Sequence, residues 1–230
     1  MYIAIEGVIG VGKTTLARML QSSFQSALLL EVFEENPFLS DFYGDRERYA
    51  FQTQIFFLLS RYHQQRHVGP DILTEGRHLI ADYTFDKDAI FAQINLTGDE
   101  LEMYHRVHQA LGEKISVPDL IVYLRADTSI LMNRIALRDR PYERTMESAY
   151  IAELGKAYDE YFGGGTVHAR HRGAPVLIID ANHLDFVNRV EDLRWIENRI
   201  RQMLRLGSFQ AELPLDLDQT FNYDQGVPSQ

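Results

Sequence analysis

Residues 7–14, Gly-Val-Ile-Gly-Val-Gly-Lys-Thr, match G-x-x-x-x-G-K-[ST] without a mismatch. They lie between an apolar run, Tyr2–Glu6, and a helical pattern that continues from Lys13 to Phe24. Strand, glycine turn and helix in that order leave the chain little freedom: a buried strand must open onto an anion-binding turn. Glycines at 7, 10 and 12 let backbone N–H groups curl around phosphates where a side chain would block the approach. The helix starting near Lys13 aims the positive end of its dipole at the same anion. Lys13 is expected on the β- and γ-phosphates of ATP, with Thr15 beside it, and Thr14 is expected to offer its hydroxyl to Mg²⁺. The turn implies a nucleotide and leaves the phosphate acceptor open.

Further short apolar runs follow at Ala27–Glu31, His78–Asp82, Leu120–Leu124 and Val176–Asp180. Helical patterns separate them: Arg46–His67, Asp99–Leu111, Ser129–Leu137, Met146–Phe162 and a last amphipathic repeat from Val190 to Leu204. Near-continuous apolar strands alternating with helices predict an α/β fold, a three-layer domain around a five-stranded parallel sheet buried on both faces. Ligands of such sheets sit outside the carboxyl ends of the strands. With 230 residues, one domain over residues 1–206 is expected. Beyond Gly207 the chain turns polar and acidic and reads as a tail (207–230), while Gly163–Gly173 reads as a surface loop.

The formal net charge of −10 argues against a non-specific nucleic-acid binder and requires any nucleotide-binding cations to be concentrated locally. No cysteine is present, so no thiolate metal site or disulfide forms. No apolar stretch is long enough to span a bilayer and no leader precedes the first strand, so a cytoplasmic protein without a membrane partner is expected. The histidines form no H-E-x-x-H pair, and His105, His108, His168 and His171 read as surface residues.

Gln54 and Arg61 lie seven residues apart, on one face of the long helix and about 10 Å apart along its axis. A buried Gln or Arg is costly unless paired, and this pair could read a base edge, arginine suiting guanine O6 and N7. The alternative is a polar stripe facing solvent or a subunit partner. Arg134, Arg138 and Arg140 supply the local positive charge, the first two at i, i+4. They either neutralise a transferring phosphoryl group or form a solvated basic face with Asp139, Glu143 and Glu147.

From Tyr2 to about Leu204 the chain resembles the deoxynucleoside kinases, the bacterial deoxyguanosine and deoxyadenosine kinases in particular. Beyond the glycine turn, the resemblance rests on LLLEVFEENPFLSDFY (28–43), RYAFQTQIFFLLSRY (48–62), IADYTFDKDAIFA (80–92), RIALRDRPYE (134–143) and LIIDANHLDF (177–186). It implies a P-loop kinase fold with an arginine-rich lid, and phosphorylation of a purine deoxynucleoside, deoxyguanosine before deoxyadenosine. It also implies that Glu31 activates the 5′-hydroxyl, with Glu34 and Glu35 as rivals. Tyr43 and Glu143 would hold the 3′-hydroxyl, Gln54 and Arg61 the base, and Arg134, Arg138 and Arg140 the lid. Asp82 would lie near Mg²⁺ and the substrate. In many relatives an arginine follows that acid; here Tyr83 does, and Lys87 is the nearest cation that could stand in. Whether Asp86 or Asp88 faces the base stays open. The 180–186 segment would back the ATP base through its main chain. A homodimer is implied, or a heterodimer with a related subunit.

Two other functions share the turn. A nucleoside monophosphate kinase such as thymidylate kinase would need an arginine for the acceptor's phosphate. A weakly active nucleotide-binding subunit would need none of the acceptor chemistry. A GTPase switch would carry N-K-x-D, which is absent.

Overall fold

The glycine turn needs a rigid, buried strand to present it, and β1 is one. In the structure, a computed structural model that describes residues 1–163 and 173–207, β1 spans Tyr2–Gly7 and all six of its residues are buried. Alternate β1 residues enter two separate apolar clusters, Ile3 and Ile5 in one and Tyr2 and Ala4 in the other. Both sheet faces are therefore covered, as the unbroken apolar run predicted. The other strands are β2 (Ser26–Leu29), β3 (His78–Ala81), β4 (Leu120–Arg125) and β5 (Val176–Asp180). All pair in parallel in the order β2-β3-β1-β4-β5. The chain moves from β1 to one side for β2 and β3 and to the other for β4 and β5. The crevice at the end of β1 is thus the topological switch point, where the glycine turn lies.

The helices are α1 (Lys13–Ser23), α2 (Leu39–Gly44), α3 (Arg46–Thr74), α4 (Lys87–Asn95), α5 (Gly98–Gly112), α6 (Thr128–Arg138), α7 (Ser148–Phe162) and α8 (Val190–Met203). Two 3₁₀ turns lie at Phe33–Glu35 and Pro141–Glu143. Asp45 separates α2 from α3 and caps the latter, its carboxylate accepting from the Arg48 N–H at 3.3 Å. The residues predicted as a surface loop, Gly163–Gly173, lie mostly, and the tail almost wholly, outside the described residues. So do His168 and His171.

Several boundaries differ from the sequence reading. Strand β2 stops at Leu29, not Glu31, because the Asp82 carboxylate takes the Glu31 N–H at 2.8 Å in place of a ladder partner. Asp82 likewise lies one residue past β3. Helix α7 begins at Ser148 rather than Met146. The short helices α2 and α4 were not anticipated. Helix α3 runs past His67 and through Pro70 to Thr74. A proline removes its own N–H and crowds the carbonyl four residues earlier, that of Arg66. Burial holds the last turn nonetheless: Ile72, 7% exposed, joins Leu29 and Leu79 in the second cluster.

This gives a first prediction. Pro70→Ala restores a donor to the Arg66 carbonyl and relieves the ring contact, which together exceed the roughly 1 kcal/mol gained by the freer unfolded chain. Urea unfolding is expected to show a variant more stable by about 1–2 kcal/mol; an unchanged or lower midpoint contradicts it.

Candidate active site

Three chain segments emerge side by side at the switch point: the glycine turn after β1, Glu31 after β2 and Asp82 after β3. The turn is built as its spacing demands. Gly7 and Gly10 have φ of 146° and 88°, and a Cβ on either would lie 2.5 Å from the Leu124 carbonyl or 2.8 Å from Ile135. Lys13 folds back over the turn and donates to the carbonyls of Gly7 (2.6 Å) and Val8 (3.2 Å). Burial, and then the nearby Lys87 ammonium, push its pKa down to about 8.

From the turn a line of contacts leads across the crevice. The Thr14 hydroxyl donates to Asp82 Oδ2, and Asp82 Oδ1 accepts from the Glu31 N–H. Glu31 Oε1 accepts from Nε and Nη2 of Arg61, and Oε2 accepts from Lys87 Nζ at 2.5 Å. Arg61 Nη1 in turn bonds Asp88 Oδ1. Burial alone would raise the Glu31 carboxyl, but the Arg61 guanidinium and Lys87 ammonium outweigh it and hold it well below the usual carboxylate range. Asp88 is fully buried and keeps its second oxygen without a hydrogen-bond partner.

A cavity of about 290 Å³ opens over this line. Of the residues expected to hold phosphate, Mg²⁺, the acceptor or the lid, all line it except Gly7 and Arg134. Gln54 and Arg61, 2% and 4% exposed, face inward, which excludes a solvent-facing stripe. Tyr43 stacks on Tyr142 with ring centroids 6.1 Å apart, and burial raises its hydroxyl well above the ordinary phenol range. Glu143 is gripped by Arg138, Nε–Oε2 3.0 Å and Nη2–Oε1 2.6 Å, with Arg140 Nη1 3.7 Å away. The Arg140 guanidinium also lies 4.0 Å over the Phe33 ring. Five cations (Lys13, Arg61, Lys87, Arg138, Arg140) and three carboxylates (Glu31, Asp82, Glu143) line the cavity. That positive surplus, in a chain of net charge −10, suits a polyanion.

Arg134 departs from the expected lid. Its guanidinium bonds the carbonyls of Val11 (3.2 Å), Ala181 (3.2 Å) and Leu184 (3.4 Å), outside the cavity that Arg138 and Arg140 line. It ties the glycine turn to the 180–186 segment, whose Phe186 ring packs so close to Gly12 that a Cβ there would lie 3.0 Å away. His108 is also not a surface residue. It is half-buried, stacked on Phe85 at 4.6 Å with Nε2 3.2 Å from the Phe85 carbonyl, and burial lowers its pKa. Of the rivals to Glu31, Glu35 is exposed and the Glu34 side chain lies outside the described residues.

The sequence reading missed Phe33, Phe57, Phe91 and Tyr142, aromatic walls of the cavity with no signal beyond their type. It also missed Glu6, fully buried in β1. Glu6 accepts from the Thr84 N–H (2.5 Å), the Thr84 hydroxyl (2.8 Å), the Gly7 N–H (3.2 Å) and the Tyr158 hydroxyl (3.3 Å). Burial raises its pKa against the opposing pull of Lys87 and Lys13.

Among the described residues no three His, Cys, Asp or Glu side chains group as a metal cage, and no helix is long and apolar enough to cross a membrane. Thr14 and Asp82 form a sparse oxygen set, which fits Mg²⁺, an ion that takes most of its ligands from phosphate and water.

Comparison with known proteins agrees with this geometry. The deoxynucleoside kinase family profile matches residues 3–205. Deoxyguanosine kinase of Bacillus subtilis is 34% identical over 206 residues, 88% of this chain and 97% of that one. Deoxyadenosine/deoxycytidine kinase of the same organism is 29% identical over 209 residues, 87% and 90% of the two chains. The structure of deoxyadenosine kinase from M. mycoides with bound dCTP superposes with a TM-score of 0.72 at 26% identity, covering 88% of this chain and all of that one. A five-stranded parallel sheet carrying this glycine turn, matched by the family profile over nearly its whole described length, shows that the chain belongs to the deoxynucleoside kinase family.

Proposed function

We propose that the protein transfers the γ-phosphate of ATP to the 5′-hydroxyl of a purine deoxynucleoside, with deoxyguanosine preferred. The observation that carries this reading is the line of contacts Thr14–Asp82–Glu31–Arg61–Asp88, which joins a phosphate turn to a buried polar pocket through Asp82 and Glu31. A sugar hydroxyl presented between the two ends would meet Glu31.

In the transfer, the O5′–phosphorus bond forms and the bond from the γ-phosphorus to the β,γ-bridging oxygen breaks. ADP leaves with that electron pair, and Glu31 takes the hydroxyl proton. Lys13 and the backbone N–H groups of the turn hold the phosphates; Arg138 and Arg140 neutralise the transferring group and exclude water from above. Mg²⁺ held through Thr14 and Asp82 would neutralise charge on the phosphate oxygens. Tyr43 and Glu143 hold the 3′-hydroxyl. Gln54 can offer its amide to a base edge while Arg61, steadied by Asp88, suits guanine O6 and N7.

The relative named deoxyguanosine kinase supports guanine, whereas others named for deoxyadenosine keep adenine as the competing base. For assembly we infer a homodimer through α3 and α5, on the exposed apolar side chains Leu59 (49%) and Met103 (56%).

Two measurements test this function. Purified protein with Mg-ATP should phosphorylate deoxyguanosine with a kcat/KM about tenfold or more above the other deoxynucleosides, as one base-edge contact allows. A preference for deoxyadenosine overturns the base assignment, and turnover of dGMP instead of nucleosides overturns the acceptor. Glu31→Gln should lower kcat by about 10²–10⁴-fold with nucleoside affinity nearly intact. Wild-type turnover in that variant would remove Glu31 as the base.

A further inference from the structure

Lys87 occupies an electrostatically poor position. It is the first residue of α4, where the helix presents the positive end of its dipole, and only 5% of it is exposed. Desolvation and the dipole both disfavour an ammonium there. Charged groups act on that corner from every adjoining element: Glu31 after β2, Glu6 in β1, Lys13 of α1 and Arg61 of α3, with Asp88 next on α4 itself. Arg61 holds Glu31 Oε1 through two nitrogens but is shared with Asp88, so Lys87 completes the charge balance of the two carboxylates. Lys87 adds a second cation on Oε2, so both oxygens of the carboxylate are engaged by cations. The residue at 83, next to Asp82, brings no charge. Tyr83 is fully buried and its hydroxyl donates to Gln64 at 2.6 Å.

Lys13 and Lys87 line the same cavity and repel one another, an arrangement that an anion placed between them would relieve. We infer that Lys87 is a catalytic cation whose ammonium leaves Glu31 Oε2 for the oxygens of the transferring phosphoryl group when the triphosphate arrives, which frees Oε2 for the acceptor hydroxyl. The flexible four-carbon stem of lysine allows the move without shifting α4. Lys87 takes no part in the proton transfer: the hydroxyl proton passes to Glu31, the new O5′–phosphorus bond replaces the bond to the bridging oxygen, and Lys87 balances charge on the group in flight. Arrival of the phosphate donor thereby arms the base. The inference rests on the kinase reading above.

The test uses the full-length protein with Lys87→Met, which removes the charge, Lys87→Gln, which keeps a hydrogen bond to Glu31 without the charge, and Lys87→Arg, which keeps the charge. Each is assayed with Mg-ATP and the deoxynucleoside that the wild type turns over best, and nucleoside binding is measured by calorimetry. Lys87→Met and Lys87→Gln should each lose about 10²–10³-fold in kcat, with nucleoside affinity within about threefold of wild type. Lys87→Arg should recover to within about tenfold of wild type. If Lys87→Met does not fold, Lys87→Gln carries the same comparison. A kcat that holds or rises without the charge would show that Lys87 only restrains Glu31, and the inference falls. Equal losses in affinity and kcat, unrepaired by arginine, would make Lys87 a structural residue and also overturn it. A wild type that phosphorylates no deoxynucleoside would instead bring down the kinase reading on which the inference stands.

Discussion

A carboxylate held between two buried cations organises this site. Glu31 is bonded by Arg61 on one oxygen and Lys87 on the other, and each of those cations would be costly to bury alone. The surrounding structure follows from keeping the three together. Strand β2 breaks off two residues early so that Glu31 can turn into the crevice, and Asp82 replaces the lost ladder partner through its side chain. Helix α3 carries Arg61 on its inner face and helix α4 begins at Lys87. Asp88, one residue further, closes the network on the far side of the guanidinium. Each member of such a group compensates buried charge on its neighbours.

The same electrostatics explains how an acidic protein hosts a polyanion site. Carboxylates predominate over the chain as a whole, but in the cavity they are outnumbered and mostly committed, Glu143 to Arg138 and Glu31 to Arg61 and Lys87. The ion pairs offset part of the cavity's positive charge and hold its side chains in place. The cations are already gathered at the cavity, where preorganised charge is worth most. Arg138 and Glu143 join the lid to the wall expected to hold the sugar, which couples the donor and acceptor halves of the site through one bidentate pair.

Much of this was legible in the sequence, for identifiable reasons. The glycine turn encodes backbone geometry, so residue spacing alone locates it. The strands are buried on both faces and announce themselves as unbroken apolar runs. What escaped the reading was set by tertiary contact. Helix α4 opens on Asp-Lys-Asp, a turn-like string, and is only nine residues long. Helix α3 outlasts a proline because Ile72 is buried beyond it. The i, i+4 rule placed Arg134 and Arg138 on one helix face, but long side chains from one face can end in different places. Three backbone carbonyls claim Arg134 and a glutamate claims Arg138. His108 was misjudged because an exposed helix position and a stacked one look alike until Phe85 is brought beside it.

Glu6 shows why a resemblance based on motifs does not exhaust a site like this one. It touches none of the cavity, yet its carboxylate is bonded at once by the first residue of the glycine turn, by Thr84 in the loop that precedes α4, and by Tyr158 of α7. Lys13 and Lys87 both act on it electrostatically. The glycine turn and the loop that leads into α4 are therefore fastened to the same buried acid. A displacement of one is felt by the other through bonds only one side chain long. The coupling ties two cations that line one cavity to a residue whose only mark in the sequence is a carboxylate at the end of an otherwise apolar strand.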